Sequence, residues 1–173
     1  MGAAISKSNA GVPRRARLSF SWEPLETVLA EPNLREVLVA YWQELSPVKH
    51  LPLDVDWPTI FAWERQFIFR VWVARVDGTM AGFITWLIQP HFLHRNTMFA
   101  IDHGHYLAPA FRNEGMVGMR MWRSTKVALK ESGCEFAFVH DNALRPLSPF
   151  FLALGARPFS AMWVMDLRDD NHD

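Results

Sequence analysis

The chain has 173 residues, half of them hydrophobic and 13% aromatic, which excludes a disordered polypeptide and fits one domain with a real core. Its 18 basic side chains balance 18 acidic ones, so the charge recommends neither a nucleic acid nor an anionic membrane as partner. One cysteine, Cys134, excludes an intrachain disulfide framework and fits a reducing cytoplasm.

Residues 1–17, MGAAISKSNAGVPRRAR, are small, polar and basic and read as a flexible N-terminal segment without a secretory apolar core. No apolar run reaches the ~20 residues of a membrane span. A domain is expected over residues 18–168 and a loose tail over 169–173. Helical signals begin near Glu23, with Pro24 in the first turn and Leu25, Val28 and Leu29 as an apolar stripe. Asn33 caps a second helix whose face is Leu34, Val37, Leu38, Tyr41 and Trp42, ended by Ser46-Pro47. Asp56 and Pro58 open a third, to about Gln66, whose Trp57, Phe61 and Trp63 are assigned to core. Phe67 to Arg75 reads as a strand, Asp77-Gly78 as a tight turn, and Met80 to Ile88 as the partner. Gln89-Pro90 breaks that strand, a loop from His91 to Asn96 follows, and Thr97 to Leu107 is a further strand.

The stretch from His103 to Gly133 organises the rest: strand, glycine-bearing loop, then an amphipathic helix to about Glu131 with Gly133 past its end. A helix start offers free N–H groups and the positive end of the dipole, and the loop 112–118 with Arg112 suits a phosphate. An ordinary strand–loop–helix with glycines for turn geometry is the competing reading. Beyond it come a short buried strand from Glu135 to His140, with Cys134 as core at its start, a loop at Asp141-Asn142, a short helix at about 149–154, and a last strand from Ala161 to Leu167.

Of the seven histidines, His103 and His105 alternate on one face of a strand, with His140 on the next strand. They allow three readings: a proton-transfer or substrate-contact role, hydrogen-bonded structure, or zinc binding, the last without a fourth ligand or a metal-spacing motif. No metal is assigned. Asp102 is placed on the opposite face as a structural residue. His91 and His94 can line an acceptor pocket or simply face solvent.

Arg112-x-x-Gly115, after a strand ending Leu107-x-Pro109, resembles the acetyl-CoA loop of the GNAT superfamily of N-acetyltransferases, usually Gln/Arg-x-x-Gly-x-Gly/Ala. Val117 stands at the last position and Gly118 one step later. Upstream, RVWVARVDGTMAGFITWLI resembles the family's central hairpin; downstream, Pro149 to Phe159 resembles its C-terminal helix and the start of the strand that follows. The resemblance implies a single α/β (α+β) domain with a central mixed, mostly antiparallel sheet flanked by helices. It implies direct transfer of acetyl from acetyl-CoA, the cosubstrate, to an amine of a small molecule or peptide. Backbone at Leu107 would hold the pantetheine and polarise the thioester. Arg112, Asn113, Glu114, Gly115, Met116, Val117 and Gly118 would hold the pyrophosphate, and Asn142 would touch the cofactor.

The base assigned by the resemblance is His103, nine residues before Arg112. It falls at the spacing of the second of two strand histidines in arylalkylamine N-acetyltransferases, the first falling at Ile101. His105 is the reserve. Many members carry a tyrosine four residues before the glycine matching Gly155, where it protonates the departing thiolate; here stands Phe151, without a proton to give. Two other classes stay open: a catalytically silent acyl-CoA-binding or sensing module, and a His-based metal-dependent hydrolase. The acceptor and the oligomeric state are unassigned, a homodimer being one option; neither nucleic acid nor membrane is expected as partner.

Overall fold

A computed structural model describes residues 16–113, 116–142 and 146–160. In chain order the elements are β1 (Leu18–Glu23), α1 (Leu25–Leu29), α2 (Leu34–Leu45), α3 (Trp57–Arg65), β2 (Phe69–Val76), β3 (Thr79–His91), β4 (His94–Leu107), a 3-10 turn (Pro109–Phe111), α4 (Val117–Glu131), β5 (Cys134–Phe138) and α5 (Ser148–Ala153). The strands form one sheet in the order β1-β2-β3-β4-β5. Neighbours are antiparallel except β4 and β5, which are parallel. A parallel pair needs a crossover, and α4 supplies it.

Alternation along the strands builds a core on each face of the sheet. One face carries Trp72, Ile84, Trp86 and Ala100 under Val117, Met121, Trp122, Ala128 and Leu129 of α4 and Phe151 of α5. The other carries Val71, Val73, Phe83 and Tyr106 under Leu25 and Val28 of α1 and Leu34 and Val37 of α2. The sheet is therefore sandwiched, and α4 meets it along the apolar stripe visible in the sequence.

One element is new and three expectations change. Leu18–Glu23, unassigned from the sequence apart from helical signals near Glu23, is a strand paired with β2; Leu18, Phe20 and Trp22 alternating with Ser19, Ser21 and Glu23 carry that signal. Pro90 does not end β3: it sits opposite Met98 at an irregularity between Pro90 and His91, a setting that tolerates the missing N–H. The loop expected from His91 to Asn96 shrinks to Phe92-Leu93, because β4 already begins at His94, paired with His91. The third helix buries no residue fully: Trp63 is exposed, while Phe61 packs half-buried against the second core. The strand expected at Ala161 to Leu167 lies outside the described residues, as do the segment 1–15 and the tail 169–173.

Candidate active site

The parallel ladder between β4 and β5 runs from Met98↔Cys134 to Ile101↔Phe138 and then ends. The next residue on β4 is Asp102, whose side chain is 1% exposed. Its carboxylate bridges the opening gap: Oδ1 accepts the backbone N–H of His140 at 2.8 Å. A side-chain acceptor thus stands in for the backbone carbonyl the parting strand withdraws, which satisfies a donor that would otherwise be stranded.

An irregularity in the β3–β4 ladder decides what else faces this point. Thr85 lies opposite Gly104 and Trp86 opposite Asp102, so His103 is the extra residue on β4, and it is exposed. The extra residue breaks the two-residue alternation. Asp102 and His105 therefore share a face, opposite Trp86 and Ile84. This corrects the expectation that His103 and His105 stand together with Asp102 behind them.

His105 Nδ1–H donates to Asp102 Oδ2 at 2.9 Å. Its ring meets Trp122 edge-on at 5.3 Å and Phe151 at 6.2 Å between centroids. His140 Nδ1–H donates to the same carboxylate through Oδ1 at 2.5 Å and to the backbone carbonyl of Asp102 at 2.7 Å. A carbonyl and an ionised carboxylate only accept, so the Nδ1 of each ring carries a proton. That leaves the Nε2 of each for other work.

Burial pushes the Asp102 carboxyl up, but hydrogen bonds and charge from His105 and His140 outweigh it and hold the group below the usual carboxylate range. The hydrogen bond to Asp102 raises His140 above an ordinary imidazole against the opposing pull of burial. On the other face of the sheet, burial first and the charge of Asp102 second raise the Tyr41 hydroxyl. Gly104 lies against that hydroxyl: a Cβ there would stand 2.5 Å from Tyr41 Oη.

At the far end of β4, Arg112 is turned inward. Its Nε–H donates to the Leu107 carbonyl at 2.7 Å, its terminal nitrogen to Glu44 Oε2 at 2.7 Å, and its guanidinium lies over Tyr106 at 5.4 Å. Asn113 is exposed, and Glu114 and Gly115 lie outside the described residues. Met116, left-handed at φ 58°, leads into α4 without a side-chain cap, and no acid occupies the first turn. The first-turn N–H groups of Val117, Gly118 and Met119 therefore have no acceptor within the helix. The Val117 side chain is buried; only its backbone can serve an anion. Gly118 rests against Leu107, 3.5 Å from where a Cβ would lie. Asn142 Nδ2–H donates to the Leu45 carbonyl at the end of α2.

Phe151, placed by the sequence reading at the leaving-group end of a cleft, is 6% exposed and packed on Trp122 with ring centroids 5.1 Å apart. Cys134 is buried, and burial pushes its thiol up, as suits core. Among the described residues no three His, Cys, Asp or Glu side chains are grouped to hold a metal ion, and no helix is long and apolar enough to cross a membrane. A separate hollow of about 230 Å³ lies across the sheet, lined by residues including Trp22, Glu64, Phe67 and Arg70, and shares none of the groups above. What sequence reasoning missed is the Asp102 cluster. Its signal was an acid at a core position of a strand between histidines, hidden by the bulge that changes the count.

No family model matches the chain, and no curated protein sequence does. Solved structures do. An aminoglycoside acetyltransferase from an uncultured soil metagenomic sample, in complex with sisomicin, is 16% identical over 87% of this chain and 97% of its own, with a TM-score of 0.67. A ribosomal-protein-alanine N-acetyltransferase from Brucella melitensis biovar Abortus 2308 is 15% identical, covering 87% and 99%, with a TM-score of 0.63. An aminoglycoside N-acetyltransferase, AAC(6')-Iy, in complex with CoA is 16% identical, covering 91% and 99%, with a TM-score of 0.59. At such identities the likeness is one of fold. This chain has the fold of the GNAT N-acetyltransferases, as its hairpin and loop motifs led one to expect.

Proposed function

We propose that this chain transfers an acetyl group from acetyl-CoA to an amine of a small molecule or peptide. The observation that carries the reading is the parting of β4 from β5 after Ile101 and Phe138, with the uncapped start of α4 following β4. A gap between parallel strands exposes backbone donors and acceptors to an extended amide-bearing chain such as pantetheine. A helix start with free N–H groups and no acid suits a pyrophosphate. In this reading the first-turn amides of Val117, Gly118 and Met119, with the loop 112–116, face the pyrophosphate, and β4 from Asp102 to Leu107 faces the pantetheine. Arg112 then acts by bracing the Leu107 carbonyl and the loop against Glu44. In the same reading Asn142, tied to the Leu45 carbonyl, touches the cofactor.

When bound, acetyl-CoA supplies an activated acyl group. The protein has to orient an amine and take up its proton. His105 is the better held of the two assigned histidines, because Asp102 fixes its ring and tautomer; His103 sits outside the ladder on the bulge. The similar aminoglycoside and ribosomal-protein enzymes make aminoglycosides and peptides with N-terminal alanine the first acceptors to try. The single buried, unpaired cysteine fits a reducing cytoplasm.

Two measurements test the proposal. Acetyl-CoA at millimolar concentration should raise the melting temperature by mass action, and Gly115→Glu should abolish the rise. Thiol release should then follow addition of one of a panel of amines. An unchanged melting temperature refutes cofactor binding. Binding without thiol release from any amine leaves the silent acyl-CoA-binding module as the correct reading.

A further inference from the structure

We propose that Asp102, His105 and His140 form one proton-handling centre, in which His105 takes the proton of the attacking amine, His140 gives a proton to the departing thiolate, and Asp102 positions both rings. This rests on the transfer reading above and adds to it an acid, which no tyrosine supplies here.

The geometry makes the two imidazoles unequal although they share one carboxylate. His105 has a single bond to Oδ2 at 2.9 Å, and its side chain is 13% exposed. His140 is held three times by Asp102: its backbone N–H on Oδ1, and its Nδ1–H on both Oδ1 and the backbone carbonyl. Its side chain is 39% exposed. One buried negative charge favours one neighbouring positive charge. The more closely held and better hydrated ring is the one to carry it, which agrees with the upward displacement of His140. The cluster then stands as carboxylate, imidazolium and neutral imidazole, with no net charge. The tautomers follow: with each Nδ1–H on Asp102, His105 has a bare Nε2, a proton acceptor, and His140 an Nε2–H, a proton donor.

The surroundings leave these assignments undisturbed. From α2, on the opposite face of the sheet, Tyr41 feels the charge of Asp102, and burial first and that charge second keep its hydroxyl protonated through neutral pH. Among the described residues, Trp122 of α4 and Phe151 of α5 meet the His105 ring and Trp86 of β3 lies opposite Asp102, and none of them carries a charge. Phe151 stands perpendicular to the His105 ring at 6.2 Å between centroids, and a phenyl ring has no proton to supply.

The balance is simple. The amine nitrogen attacks the thioester carbonyl, the C–N bond forms and the C–S bond breaks. One N–H proton passes to His105 Nε2, and the sulfur receives the proton from His140 Nε2. The products are amide and thiol, with His105 now cationic and His140 neutral. Half-exposed His140 regains its proton from water, and His105 releases its own, which restores the starting state. Asp102 is a positioning residue: it keeps its charge throughout.

The test is a pH profile of kcat for the wild type, His140→Gln, His105→Gln and Asp102→Asn, with the acceptor that gives thiol release. The wild type should give a bell whose acid limb requires neutral His105 and whose alkaline limb requires protonated His140. His140→Gln should remove the alkaline limb and lower kcat by about 10²-fold, the usual scale for a lost acid or base. His105→Gln should remove the acid limb with a similar loss. Asp102→Asn keeps an acceptor for the His140 N–H but loses the charge, so the alkaline limb should move down towards an ordinary imidazole while KM for acetyl-CoA stays within about twofold. Nuclear magnetic resonance titration of the His140 ring is the second readout: in the wild type it should titrate above an ordinary imidazole, and that displacement should vanish in Asp102→Asn. His140, half exposed, can be changed without opening the core, so His140→Gln keeps the test decisive if Asp102→Asn fails to fold. A wild-type kcat and unchanged limbs in His140→Gln overturn the proposal and leave the transfer reading standing. Acetyl-CoA binding by the wild type with no thiol release from any amine overturns both.

Discussion

The two halves of β4 solve the same backbone problem in different ways. From Met98 to Ile101 the strand has a ladder on both sides, β3 on one and β5 on the other. Its neighbours there are aromatic: Phe99 is 6% exposed, stacked on Phe136 at 6.0 Å and edge-on to Phe138 at 5.9 Å. From Asp102 to Leu107 the strand keeps β3 and loses β5. Side chains take over the exposed edge: the Asp102 carboxylate on the His140 N–H, the Arg112 Nε–H on the Leu107 carbonyl. The paired half is held by apolar burial and the open half by charged hydrogen bonds. The first holds the sheet together; the second places titratable groups beside a gap.

This contrast predicts different responses to mutation. The largest effect belongs in the paired half. Phe99→Ala should lower stability by about 3–4 kcal/mol in denaturant unfolding, because an aromatic core truncation leaves a cavity, and the loss should be the same from pH 5 to pH 8. A loss under about 1 kcal/mol would show that β4 does not depend on this aromatic stack. Next comes the flank that both halves share. Gly82→Ala on β3 drives a Cβ into the Tyr106 carbonyl oxygen and to 2.9 Å from Leu107 Cα. Backbone cannot yield as a side chain does, so about 2 kcal/mol of destabilisation is expected by the same assay. If the open end of β4 can drift away from β3, the substitution will cost almost nothing.

Smaller still is Asp102→Asn in the open half. The His140 N–H keeps its acceptor, and the loss is that of two charge-assisted bonds, about 1–2 kcal/mol at pH 5.5. The smallest and most telling effect is its pH dependence. The carboxyl is lowered on folding, so its stabilisation is present above the unfolded value near 3.8 and is lost as pH falls through the lowered folded value. The His140 imidazole is raised, so its share is complete below the unfolded value of 6.5 and is lost as pH rises through the raised folded value. The cluster therefore stabilises most between those limits. The difference in stability between wild type and Asp102→Asn should shrink above neutral pH. A difference that stays flat to pH 9 would mean that His140 does not bear charge in the folded protein.

Much of the fold was legible because it rests on local rules. Asp77-Gly78 announced the β2–β3 hairpin, with Asp77 at φ 49° and Gly78 at φ 86°. The spacing of Val117, Met121 and Ala128 announced the face of α4, and all three are buried. Gly133, at φ 83°, ends that helix as expected. The readings that failed were those in which tertiary contact overrides a local signal. Pro90 looks like a breaker, yet lies in a strand at an irregular pairing. Trp63 looks like core and is exposed. Of the candidate groups, the sequence put His103 first with His105 in reserve, and named Arg112, Asn142 and the start of α4 for the cofactor. It gave no sign that Arg112 would turn back onto Glu44, 68 residues away in the chain.

By itself the sequence determined the order of the elements from α1 to α5, the amphipathic face of α4 and the place of the loop before it. These depend on periodicity, on turn residues and on helix ends, all of which act over a few positions. Only the tertiary structure decided which histidine meets an acid. One extra residue in β4 reverses the face of everything beyond it, so Asp102 joins His105 and His103 is left outside. Only the separation of β4 from β5 brings the His140 backbone and ring onto the same carboxylate, 38 residues apart in the chain. Face and register are properties of paired strands, and a single strand read alone carries neither.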